Sequence, residues 1–177
     1  MTNRDEVRAT CQIPKSEHII GWCAADDGAV LAATSGALYR GPQPWSAADG
    51  HALPWVRIAT AVWETPHLTV TWEAGPDGNT FATSDLLRES ARISQPGELP
   101  SAIQAMVTES VVYRQHVPLL DLPDETGALL VARRQPRAPD ALVTWSVVFD
   151  VGLDPADPDL RAAADLALRQ VRAALGI

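Results

Sequence analysis

Seven consecutive residues, His67-Leu-Thr-Val-Thr-Trp-Glu73, alternate apolar and polar side chains. A two-residue period puts Leu68, Val70 and Trp72 on one face and Thr69, Thr71 and Glu73 on the other. One face for a core and one for water is the habit of an antiparallel sheet, because parallel strands are covered on both sides. The flanking sequence reads the same way. His18 to Ala24 is an apolar run closing on Asp26-Asp27-Gly28, a hairpin-turn signal, and Ala29 to Thr34 is the return strand. Ser35-Gly36 interrupts that strand before Ala37 to Arg40 resumes it, which predicts a bulge or bend in a curling sheet. Residues 41–53 read as a loop carrying Trp45. Trp55 to Trp63 reads as the next strand, with Pro66 at its turn. Gly75 to Gly78 reads as a turn and Asn79 to Thr83 as a short strand. Residues 1–16 show weak periodicity and read as a loose lead-in.

After Pro96-Gly97 the period changes. Pro100 suits the first turn of a helix, and Ile103, Met106, Val107 and Val111 recur at helical spacing. Three extended stretches follow: Val112 to Leu119, Gly127 to Arg134 and Leu142 to Val151. In the last, Val143, Trp145, Val147, Phe149 and Val151 share a face. Asp157-Pro158-Asp159 then supplies an N-cap, a first-turn proline and a carboxylate at the positive end of a helix dipole. Leu160, Ala164, Ala167, Leu168, Val171, Ala174 and Leu175 form its apolar stripe, and Gly176 stops it. Runs of strands closed by helices, without strict βαβ alternation, indicate an α+β fold.

Composition narrows the function. In 177 residues, 46% are hydrophobic and 20% charged, which is globular, and the net charge is −8. An acidic chain lacks the footprint for DNA, RNA or an anionic membrane, so nucleic acid and membrane are not expected partners. No leader-like apolar segment precedes residue 16 and no run approaches a membrane span, which points to the cytoplasm. Cys11 and Cys23 form no metal or redox motif. Free thiols and a disulfide both fit, free thiols being the usual state in the cytosol.

The stretches Gly21-Trp22-Cys23, Ala33-Thr34-Ser35-Gly36-Ala37-Leu38-Tyr39 and Leu53-Pro54-Trp55-Val56-Arg57-Ile58 together resemble bacterial pleckstrin-homology-like (PH-like) domains, in a return strand of the form aT-x-x-x-L-y and a later P-W/Y-x-x-I strand. The resemblance covers residues 17–112. It implies a curled antiparallel sheet or partly open barrel with a helix, followed in 113–177 by three strands and a terminal helix on the same core, as one structural unit. Two arrangements fit: the helix near 100–111 closes the barrel, or the C-terminal helix caps two sheets and the middle helix is an insertion. The resemblance also implies a binding or scaffolding role. Lipid-binding members carry basic residues in the first hairpin loop, whereas this chain has Asp26 and Asp27 there, so phosphoinositide is not expected.

No phosphate-binding loop, nucleophile elbow or zinc-ligand spacing is present, and no catalytic residue, metal or cofactor is expected. The aspartates 154, 157 and 159 lack the glycine and glutamate of a calcium loop and suit N-capping. Six tryptophans stand out against two Phe and two Tyr. Trp22, Trp72 and Trp145 sit among aliphatic neighbours and read as core. Trp55 and Trp63 lie at even spacing; with Val56, Ile58 and Val62 inside, they share a partly exposed face. Trp45 is either an exposed anchor or lies under its loop, the commoner fate of a large apolar group. Trp45, Trp55 and Trp63 are candidate contacts for a protein partner or a second copy, tryptophan being a favoured interface anchor. Arg133, Arg134 and Arg137 form the one cationic cluster, suited to ion pairs or a small anion. The expectation is a non-enzymatic interaction or scaffolding module. The alternative is a ligand-binding or catalytic domain with a pocket between sheet and terminal helix, using His116 and Tyr113.

Overall fold

In a computed structural model, residues 3–46, 50–73, 80–82, 86–119 and 126–176 are described, the segment 80–82 by its backbone. The fold is α+β; among the described residues there are three sheets, none closed on itself, and three α-helices. The chain divides into two compact units. Met1–Ala74, Leu87–Ser110 and Arg134–Leu142 form the first; Gly75–Leu86, Val111–Arg133 and Val143–Ile177 form the second. In this partition each unit takes a segment from between two strands of the other.

The first unit opens with a helix where a loose lead-in was expected. Helix α1 (Arg4–Thr10) starts at Asn3, whose side chain accepts from the N–H groups of Asp5 and Glu6 while the Glu6 carboxylate accepts from the Asn3 N–H. This capping box satisfies otherwise orphaned donors. Val7, Cys11 and Ile13 then bury with Ile19, Ala32, Ala37 and Tyr39.

Strands β1 (Ile19–Ala24), β2 (Val30–Thr34), β3 (Ala37–Gly41) and β4 (Ala52–Pro54) form an antiparallel meander. Ser35-Gly36 is a chain reversal and not a bulge, because Ala33 pairs with Leu38. Thr34 fixes it by accepting at Oγ1 from the N–H groups of Gly36 and Ala37. A second sheet orders β5 (Ile58–Glu64), β6 (His67–Trp72) and β8 (Leu87–Arg92), all antiparallel. Leu68, Val70 and Trp72 of β6 are buried as the alternation predicts, while Glu73, expected on the water face, is buried as well. Helix α2 (Leu99–Ser110) packs on β1, β2 and β5, burying Leu99, Ile103 and Met106. The main cluster also holds Leu31, Leu38, Leu53, Trp55, Ile58 and Ile93.

In the second unit, β9 (Val111–Pro118), β10 (Gly127–Arg133) and β11 (Thr144–Phe149) pair antiparallel, and β7 (Thr80–Ala82) joins β11 in parallel. The expected turn at 75–78 lies outside the described residues. Helix α3 (Pro158–Leu175) begins at an Asp157 cap and ends at Gly176, in the left-handed region at φ 73°. Leu160 and Ala164 bury against Leu130, Val147 and Phe149. Apolar burial stops short of the strand ends expected from the sequence, leaving Leu142 and Val151 exposed.

Candidate functional site

An apolar hollow lies in the first unit between the edge strand β5 and helix α2. Ala61, Trp63 and Leu68 form its sheet side, and Pro100, Ser101, Ile103 and Gln104 its helix side. Its volume is about 290 Å³. That sits at the lower edge of small-molecule pockets, roughly 300–1,000 Å³, and suits one anchoring side chain better than a whole ligand. No titratable side chain lines it.

A β-bulge builds this site. The β5–β6 register slips between Ile58 and Thr60, so Ile58 is fully buried while the strand beyond it changes parity. A one-residue slip moves every following side chain to the opposite face. Ala61 and Trp63 therefore turn toward α2, and Val62, expected inside, is 46% exposed. Trp63 is half-buried, paired across the strands with Leu68, and its indole N–H donates to Thr65 Oγ1 at 3.0 Å.

The other two tryptophan candidates are core residues. Trp55 lies in a 3-10 turn (Trp55–Arg57) ahead of β5 rather than in the strand, and it is fully buried with its N–H on the Thr34 carbonyl at 2.9 Å. The loop folds Trp45 inward, where its N–H reaches the Leu38 carbonyl at 3.3 Å and its ring meets Trp72 edge-on at 5.7 Å. Only Trp63 of the three keeps a partly open face.

The arginines do not form one patch. Arg133 is buried in the second unit, with a guanidinium nitrogen 3.5 Å from Ser146 Oγ. Arg134 and Arg137 line a hollow of about 110 Å³ in the first unit together with Glu109. Arg134 donates to the Pro139 carbonyl at 3.0 Å, and Arg137 pairs with Glu109 through its backbone N–H at 3.0 Å and its side chain at 3.9 Å. A carboxylate already faces the one side chain that would meet an anion.

His116 and Tyr113 line neither hollow. His116 Nε2 meets Asp150 Oδ2 at 2.9 Å, and the same oxygen accepts the Gly127 N–H at 2.8 Å, so the pair ties strand ends together. Cys11 and Cys23 are free and buried, and burial pushes their thiols up to about 11 and about 12, away from reactive thiolates. Among the described residues no group of three or more His, Cys, Asp or Glu side chains is placed to hold a metal, and no helix is long and apolar enough to cross a membrane.

The sequence reading missed Ala61, Leu68 and the α2 residues of the hollow. Only the bulge, invisible as a motif, brings them together. Comparison with family models, curated proteins and solved structures finds no match to this chain.

Proposed function

We propose that the chain is a non-enzymatic protein-interaction module of PH-like architecture that docks a polypeptide in the groove between β5 and α2, with Trp63 as the anchor. The observation that carries this is the apolar hollow beside an edge strand paired on one side only, with a half-open tryptophan and no titratable lining group. An unpaired strand edge offers backbone hydrogen bonds to an extended chain, and a pocket beside it selects a side chain. A four-stranded and a three-stranded antiparallel sheet with α2 packed on β1, β2 and β5 supports the PH-like reading, with the middle helix as its closing element. At the β1–β2 turn, Asp26, Asp27 and Glu89 set three carboxylates against the guanidiniums of Arg40 and Arg92. A phosphate headgroup meets no net positive charge there.

A photo-crosslinking amino acid in place of Gln104, on the helix side of the groove, tests the reading in the intact chain. Crosslinks to polypeptide are expected, and Trp63→Ala is expected to abolish them. Absence of crosslinks, or crosslinks indifferent to Trp63→Ala, overturns the reading.

A further inference from the structure

Among the described residues, the six strands at sheet edges are not equally open. Strand β4 is three residues long and ends in Pro54, β7 is also three residues, β8 carries Arg88, Glu89 and Arg92, and β9 carries Arg114 and His116. Strand β1 has α2 against it, and a Cβ at Gly21 would lie 3.5 Å from Ala102. Short length, proline, charge and a covering helix are the devices that keep sheet edges from pairing. Strand β5 also has α2 packed against it and a bulge between Ile58 and Thr60, but it is neither short nor interrupted by proline. It runs seven residues, Ile-Ala-Thr-Ala-Val-Trp-Glu, with β-branched and aromatic side chains and a single charge at its last position.

The outward face of β5 is complementary to itself. A two-fold axis normal to a sheet keeps each face on its own side, so an antiparallel self-pairing matches residues an even number of positions apart. Centred on Val62, it sets the 46%-exposed Val62 against Val62 of a second copy. It sets Thr60 against Glu64, hydroxyl donor to carboxylate, and small Ala61 against large Trp63 beside the 290 Å³ hollow. Four residues then separate each Glu64 from the symmetry-related one, about 14 Å along the strand. That exceeds the screening length of about 8 Å at physiological salt. For a chain of net charge −8, this is an edge on which two copies meet without opposed carboxylates. The neighbouring registers lack this match. Centring on Trp63 sets Val62 against Glu64; centring on Ala61 sets Glu64 against the fully buried Ile58.

We infer that the groove's occupant is a second copy of this chain: β5 pairs antiparallel with β5 about Val62, joining two three-stranded sheets into six strands, and each Trp63 enters the hollow of the other copy. The inference rests on the docking role proposed for the groove. Sedimentation equilibrium of the full chain is expected to give twice the chain mass, and Val62→Arg the mass of one chain with an unchanged far-ultraviolet circular dichroism spectrum. Mild oxidation of Val62→Cys is expected to give a covalent dimer, since the new thiols face one another. Glu64→Cys, whose thiol faces Thr60, is expected to give none, and the native thiols are buried. A single-chain mass up to millimolar concentration, a dimer that Val62→Arg leaves intact, or crosslinking by Glu64→Cys and not by Val62→Cys overturns the inference. A monomer whose Gln104 crosslinker captures other polypeptides overturns the second copy and keeps the docking role; a monomer without crosslinks overturns both.

Discussion

Asp26 and Asp27 close the β1–β2 turn as two adjacent carboxylates, yet neither faces water alone. Asp26 accepts from the Ser94 N–H at 3.0 Å, the Ser94 hydroxyl at 2.7 Å and Arg92 Nε at 3.1 Å, while Asp27 meets Arg40 at 3.0 Å. Hydrogen bonds from Ser94, followed by the Arg92 contact, hold the Asp26 carboxyl below its ordinary value. The native state therefore binds that proton more weakly than the unfolded chain does. The contribution is present above the ordinary carboxylate pKa of about 3.9 and is lost as pH falls through the depressed native value. Asp26→Asn is expected to flatten the acid limb of stability below about pH 4, measured by urea unfolding at several pH values; an unchanged limb contradicts the assignment. In the alkaline direction the sign reverses. Burial, then the Glu17 carboxylate, pushes the Tyr39 hydroxyl up, and burial raises both thiols, so these groups stay protonated in the fold after the unfolded chain has released them.

At the scale of elements, two helices meet the sheet chemistry in different ways. The C-terminal end of α1 approaches β3 so closely that a Cβ at Gly41 would collide with the Thr10 carbonyl oxygen. Backbone cannot yield as a flexible side chain does, so Gly41→Ala is expected to lift α1 from the sheet and cost about 1–3 kcal/mol, the usual range for overpacking. Thermal unfolding reads this, and a variant as stable as the parent would show that the contact relaxes freely. The helix α3 was legible because Asp157, Pro158 and Gly176 mark its ends and its stripe has a helical period. The strand β6 was legible because its alternation is unbroken. Helix α1 was hidden by its seven-residue length, too short for a periodic signal, though Asn3 and Glu6 stand at capping-box spacing. The β5 face was misassigned because a bulge at Ala59 leaves no compositional trace, and this reversed the roles of Val62 and Trp63. Strand β8, Leu-Arg-Glu-Ser-Ala-Arg, passed unread because Glu89 interrupts its inward positions and leaves only Leu87 and Ala91 as an apolar signal.

For the molecule as a whole, the partition of the chain matters more than any one element. The connection between β6 and β8 supplies β7 to the second unit, and the connection between β10 and β11 lies in the first. There Gln135 donates to the carbonyls of Ser35 at 2.9 Å and Gly36 at 3.0 Å, and the Arg134 N–H donates to the Ser110 carbonyl at 2.8 Å. These bonds cap the β2–β3 reversal and the end of α2, which a fragment of residues 1–112 would lack. Such a fragment is expected to unfold at a lower temperature than the whole chain, and equal melting temperatures would show that the segment 134–142 contributes nothing.

The chain passes between the two units five times, at 74/75, 86/87, 110/111, 133/134 and 142/143. A protease that severs the β9–β10 connection would not release a domain. One product keeps β7 and β9 without β10 and β11; the other keeps β10, β11 and α3 together with the 134–142 segment. Each product lacks a part of a unit that the other holds, so a single nick would leave two fragments with complementary gaps.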